Sequence, residues 1–170
     1  LQASRLAAQG NMDDAVAFLE ELASQGGGQD LAAEIAVVRA RLAGGDTDGA
    51  LNYLDDLLSE NPENFTLRFV RATALSGVGR NGEAEEVYRA LIEVRPQVEQ
   101  LWIGLIRSLY AQGDVEAAEA ALEQGLETLP EALNLLWAQA SFRERQGDYE
   151  GAIELYEMMY ERAPNQPVIA

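Results

Sequence analysis

Twenty-nine carboxylates, and no imidazole or thiol, bound the chemistry open to this chain. All 12 basic residues are arginine, so there is no lysine amine either. Glu119, Glu123 and Glu127 form a stripe at a spacing of four, and Glu150, Glu154, Glu157 and Glu161 form a second stripe. Paired carboxylates can serve as acid and base, or hold Ca²⁺. Like charges at helical spacing on a polar face are more simply a solvated surface. Asp46-Thr47-Asp48-Gly49 resembles the opening of a calcium-binding loop, but the third acidic ligand and the closing glutamate are missing. An acid just after a turn has a simpler use, as a helix cap. A serine nucleophile here would lack its usual base, and no glycine-rich phosphate loop occurs. We therefore expect no catalytic residues, no metal site and no cofactor, and read the chain as a non-enzyme.

Composition narrows the partner classes. The 170 residues carry a net charge of −17, with a pI near 4.2. Such a chain cannot neutralise phosphates over a broad face, which argues against nucleic acid and against an anionic membrane surface. No apolar run approaches the ~20 residues needed to span a bilayer. A protein or peptide partner remains. Hydrophobic residues make up 48% of the chain, enough for a substantial core. An Ala- and Arg-rich chain without Lys has the composition expected of a GC-rich bacterial genome.

The elements that must position any site repeat with one period. Pro62, Pro96, Pro130 and Pro164 are each 34 apart, as are Ala50, Ala84, Ala118 and Ala152, and Gly45, Gly79, Gly113 and Gly147. Ala15 and Gly10 extend the last two columns at a spacing of 35. Each unit reads as two amphipathic helices around a tight turn. Its glycine ends the first helix in a left-handed conformation. The next residue (Asn11, Asp46, Asp114 or Asp148) caps the second helix, and Arg80 is expected to cap less well. In the unit beginning at Glu99, the first helix is expected to run from Glu99 to Gln112. Proline stops the second helix, and the alanine is small because two helices cross there. The extra residue of the first spacing falls in Gly26-Gly27-Gly28, read as a loop insertion, with a hinge as the other reading. The array spans 1–170, with units at about 1–30 (partial), 31–64, 65–98, 99–132 and 133–166 and a sixth starting at 167–170. Both ends are read as cut edges. The last complete helix carries Leu155, Tyr156, Met158, Met159 and Tyr160, which a following repeat or another copy would be expected to cover.

These columns resemble the tetratricopeptide repeat. Trp102, Leu105, Gly113, Ala118, Leu122 and Pro130 follow its pattern, as do Ala72, Gly79, Ala84, Tyr88 and Pro96. The resemblance implies an all-α fold, an α-α superhelix or right-handed solenoid of helix–turn–helix units whose concave side is lined by first helices. Some positions depart from the pattern. Arg71 stands where Leu is preferred, Arg41 and Arg143 where Tyr or Leu is usual, and Gly125 where a larger residue is expected, so local packing there is in question. The basic clamp by which the family grips acidic peptide termini is absent. Its columns hold Ile35, Arg39, Val70, Gln100 and Gly104, or Phe69, Thr73, Gly104, Asn134 and Ala138, so a co-chaperone of that type is not expected. Similar Ala-rich arrays in bacterial envelope and export proteins point by analogy to a periplasmic setting, with the cytoplasm as the other.

Charge is segregated between the two helix sets. The first helices hold eight arginines against three acids, a net of +5, and the remaining segments carry −22. A wall of one sign focuses its field on whatever enters. Helical periodicity places Ile35, Arg39 and Leu42, then Phe69 and Thr73, then Ile103, Arg107 and Tyr110, then Trp137, Ser141 and Glu144 on the inner wall. Aromatic and arginine side chains are favoured binding anchors. The expected function is a protein-interaction scaffold holding a peptide or protein segment on this concave face. The other reading is a self-assembling array stacked end to end through the Met158–Tyr160 end.

Overall fold

A computed structural model describes residues 5–6, 11–25 and 30–162. The readings made for Gly10, Gly26–Gly28, Pro164, residues 167–170 and most of the first helix lie outside the described residues. The described residues form nine helices and no strand, so the fold class is all-α. They group into two compact units, Leu1–Val78 and Gly79–Ala170.

The first unit holds α1 (Met12–Gln25), α2 (Leu31–Ala43), α3 (Thr47–Glu60) and α4 (Phe65–Gly77). Helix α2 packs against α1, α3 and α4, and α3 also packs against α4. The second unit holds α5 (Asn81–Val94), α6 (Glu99–Ala111), α7 (Val115–Thr128), α8 (Leu133–Gln146) and α9 (Tyr149–Arg162). Here each helix packs on the next, and α6 also meets α8. Helix α6 ends one residue before the expected Gln112, which serves as its cap.

The turn chemistry follows from residue type. Gly45, Gly79, Gly113 and Gly147 have φ between 81° and 83°, a region that costs a residue with a Cβ roughly 1–2 kcal/mol. The reversed chain then donates backwards: Asp46 N–H to the Arg41 carbonyl at 2.9 Å, Asp114 to Leu109 at 3.1 Å and Asp148 to Arg143 at 2.9 Å. The same aspartates cap the following helix, accepting from Gly49, Ala117 and Gly151 N–H at 3.0 Å. Arg80 offers no side-chain cap and instead grips Glu83 with two N–H donors at 2.6 Å. Before each described proline the chain swings out of the helix: Asn61, Arg95 and Leu129 have φ of −137°, −138° and −133°, outside the helical region that a following proline disfavours.

Ala15, Ala50, Ala84, Ala118 and Ala152 are all buried, at 0–1% exposure. Around them lie Val37, Leu54 and Leu75 in the first unit and Leu91, Leu105 and Leu135 in the second, each nearly inaccessible. Each such leucine contributes roughly 1.5–3 kcal/mol.

The departures from the repeat pattern have physical reasons. Arg71 Nε donates to Asp55 at 2.7 Å. Gly125 makes room for its neighbours, since a Cβ there would meet the Trp102 ring at 3.3 Å and Leu135 Cδ1 at 3.2 Å. Arg41 pairs with Glu20 and, at 2.7 Å, with Asp46, and it stacks over Tyr53 at 5.9 Å. Arg143 reaches Asp148 at 3.4 Å. Asp46 is thus a cap and an ion-pair partner. The expectation for the last helix needs correction. Leu155 and Met159 are buried against Leu136, Ala140 and Ala152, because they face the preceding helix α8. Met158 and Tyr160 are exposed, but residues two apart point to different sides of a helix, so they do not form one patch.

Candidate functional site

First helices carry every candidate contact residue, and each unit places its own. In the first unit Ile35 and Phe69 are half-buried, and Arg39 and Thr73 are exposed. The Thr73 hydroxyl donates to the Phe69 carbonyl at 3.0 Å, which holds it on its own helix. In the second unit Ile103 and Ser141 are half-buried, Arg107 is exposed, and Tyr110 and Trp137 stand 41% and 55% exposed. An indole that open is costly to leave without a contact, since it offers a large apolar face.

Helices α6 and α8 are tied together around these residues. At the start of α8, Ala132 provides no side-chain cap. Glu99 of α6 replaces it, accepting from the Asn134 backbone N–H at 2.9 Å and from its side-chain amide at 3.1 Å. Toward the other end Arg145 donates to the Tyr110 hydroxyl and lies 4.8 Å from that ring's centre. Phe142 meets the same ring edge-on, 5.9 Å between centroids at 81°. Such cation–π and edge contacts hold an exposed aromatic in one orientation. Ser141 and Glu144 lie beside the Tyr156 hydroxyl of α9. Burial, then the Glu144 charge, pushes that phenol up. Ser141 therefore faces the neighbouring helix, whereas Ile103, Arg107 and Trp137 make no side-chain hydrogen bond to a described residue.

The arginines divide into two kinds. From α2 onward the first helices carry Arg39, Arg41, Arg68, Arg71, Arg107, Arg143 and Arg145. Arg41, Arg68, Arg71 and Arg143 are in ion pairs, and Arg145 is held on Tyr110. Among the described residues only Arg39 and Arg107 of this set have no such partner. They occupy one repeat column, 68 residues apart. Arg145, Phe142 and the Glu99–Asn134 bond were not singled out from sequence. The Tyr110–Arg145 and Glu99–Asn134 partners are 35 apart, one off the repeat period, and Phe142 is 32 from Tyr110.

No group of three or more acids that could hold a metal occurs among the described residues. No helix among them is long and apolar enough to cross a membrane.

The family model for the tetratricopeptide repeat matches residues 35–99, 69–127 and 103–167. A curated relative, the tetratricopeptide repeat and J domain-containing co-chaperone DNJ1 of Fusarium oxysporum, is 33% identical over 98 residues, 54% of this chain. The match spans only 19% of that relative's length. Among solved structures, MamA residues 41 to the end from Desulfovibrio magneticus RS-1 superpose with a TM-score of 0.70 at 19% identity, covering 97% of this chain and 93% of that one. A thermophilic TPR protein from Thermus thermophilus gives a TM-score of 0.67 at 23% identity, covering 97% and 90%. At these identities the two structures speak to the fold alone.

Proposed function

Because this chain belongs to the tetratricopeptide repeat family, we propose that its first-helix face binds a peptide or protein segment and carries out no reaction. At the general level the chain is a protein-interaction scaffold. The finer reading rests on one observation: from α2 onward, the first-helix arginines without an ion-pair partner among the described residues are Arg39 and Arg107, and they share a column. An unpaired guanidinium suits a carboxylate or a run of backbone carbonyls. In the second unit the exposed Trp137 and half-buried Ile103 supply the apolar anchors beside Arg107. Arg145 and Phe142 keep Tyr110 oriented, which lowers the entropy lost on binding. In the first unit Arg39 has Ile35 and Phe69 for the same role, with Thr73.

The test is selection of a random peptide-display library on the chain. Enriched peptides should carry an acidic residue next to an apolar one. Replacing Ile103, Arg107, Tyr110 and Trp137 together by Ala should weaken these peptides at least tenfold, since each buried anchor or charge-assisted bond typically carries over 1 kcal/mol. Helical circular dichroism should stay intact. A quadruple variant that selects the same peptides with the same affinity would overturn the assignment. The second reading, end-to-end stacking, is favoured by the exposure of Tyr160 and requires light scattering to grow with concentration in the absence of any peptide.

A further inference from the structure

We propose, on the footing that the first-helix face binds peptide, that it holds two like sites, one in each compact unit, and that it takes a partner chain presenting the same apolar–acidic motif twice. The turns and caps repeat every 34 residues, but the middle of the first helices repeats every 68. Ile35, Phe69, Ile103 and Trp137 share one column, aliphatic and aromatic in turn. One helical turn on, Arg39, Thr73, Arg107 and Ser141 alternate arginine with a hydroxyl. Between them the buried column of Val38, Ala72, Ile106 and Ala140 alternates large with small. Helices α2 and α6 are therefore of one kind, and α4 and α8 of another. Each unit holds one of each kind, and within each unit the two meet, α2 with α4 and α6 with α8.

A buried column can alternate for packing alone, since a core interdigitates large side chains with small ones. The arginines answer no such demand. Arg39 and Arg107 are exposed and have no ion-pair partner among the described residues. Arg41, Arg68, Arg71 and Arg143 instead pair with acids of their own units. Each unit thus offers an aliphatic, an aromatic, a guanidinium and a hydroxyl on two touching helices. The apolar pair suits an apolar side chain and the guanidinium a carboxylate beside it. Because both sets fit one motif, a chain that carries it twice fills both. Linking two such contacts raises affinity by roughly 10²–10⁴ through effective concentration, with no new contact.

The two sets differ in one respect that orders them. Trp137 is 55% exposed, whereas Phe69 is half-buried. The second unit therefore has more open apolar surface to give, and its site should be the tighter of the two.

The experiment is an NMR titration of the arginine Nε–Hε signals of the whole chain. The probe is a short capped peptide with Leu-Asp-Leu among Gly and Ser. The Arg39 and Arg107 signals should both move, with dissociation constants within tenfold of one another and Arg107 the tighter. Arg39→Ala should leave the Arg107 titration unchanged, and Arg107→Ala should leave that of Arg39 unchanged. Two copies of the peptide joined by Gly/Ser linkers of about 10, 20 or 40 residues should bind one per chain. With the best linker they should bind at least tenfold more tightly than the single copy, and either arginine variant should remove the gain. Movement of one signal alone, or constants more than tenfold apart, would overturn the duplication while leaving a single first-helix site in place. Loss of the Arg107 response in Arg39→Ala would mean one continuous site, which also overturns it. Absence of a gain with every linker would overturn the two-motif partner. If neither signal moves, the proposal fails, and the display selection judges the first-helix face by itself.

Discussion

Arg41 and Arg107 show how one residue type takes opposite roles in columns two positions apart. Arg41 is drawn into its own unit by Glu20 and Asp46, while Arg107 is left to solvent on a face with Trp137. Glu34 is the acidic counterpart. It sits on α2 at 5% exposure, and its carboxyl has no hydrogen-bond or ion-pair partner among the described residues. Burial, then the charges of Glu60 and Asp30, holds its carboxyl above the ordinary 4.5. Tyr53 of α3 is the other titratable group near it, itself pushed up by burial and then by the Glu34 charge. For a carboxyl whose folded pKa is raised, the folded state binds more protons than the unfolded state between the two values. Stability is therefore full below 4.5 and declines as pH rises through the raised value. We predict that Glu34→Gln stabilises the chain at pH 7 and that the advantage disappears below about pH 4.5, as measured by urea unfolding at both pH values. An equal change at both would show that shape, not charge, governs the site.

At the element scale the two helices of a unit are joined by a coupled triplet. Arg41, Asp46 and Gly49 recur as Arg143, Asp148 and Gly151, 102 residues later. The guanidinium lies across the first turn of the next helix, on the aspartate that caps it. A Cβ on Gly49 would strike Asp46 and Arg41, and one on Gly151 would strike Arg143 and Asp148. Where the arginine is absent the glycine is absent too: Leu75 goes with Glu83, and Leu109 with Ala117. We predict that Gly49→Ala destabilises the parent chain. In an Arg41→Leu background it should instead stabilise by up to about 1 kcal/mol, the helix propensity of Ala over Gly. The coupling between the two sites should fall in the roughly 0.5–3 kcal/mol range of residues in contact. Additive effects in the double-mutant cycle would separate the two positions. This scale also marks what could be read from sequence. The glycine, alanine and proline columns were legible because each answers a local demand: a left-handed turn, a close crossing, a helix stop. The Arg–Gly coupling was visible as co-variation between columns but needed the turn geometry to have a meaning. The Tyr110–Arg145 and Glu99–Asn134 contacts were not legible, because their spacing of 35 depends on how one repeat leans on the next.

At the scale of the whole molecule the governing quantity is the charge of −17, set by the −22 that lies outside the first helices. The internal ion pairs do little to offset it. Arg80–Glu83 and Arg89–Glu85 are short-range helix pairs with both partners partly exposed. Arg71–Asp55 and Arg68–Glu63 each have one well-exposed carboxylate. Exposed pairs of this kind are worth roughly 0–1 kcal/mol each and weaken in salt. The repulsion among the remaining acids extends further than any single pair. Screening cuts its reach to about 10 Å at 0.1 M ionic strength, from about 30 Å at 0.01 M. The long-range term should therefore fall faster with salt than the short contacts do. We predict that raising NaCl from about 10 mM to about 100 mM, the span of that change in screening length, increases the melting midpoint. A gain of 1 kcal/mol corresponds to roughly 2–4 °C for a chain of this size. NaCl is the salt to use, because sulfate would strengthen apolar burial by exclusion and mimic the effect. A midpoint that falls steadily over the same range would mean that the arginine pairs outweigh the self-repulsion. In that case Arg71→Leu and Arg41→Leu should each flatten the salt dependence. If the midpoint rises, the same substitutions should leave the slope nearly as it was.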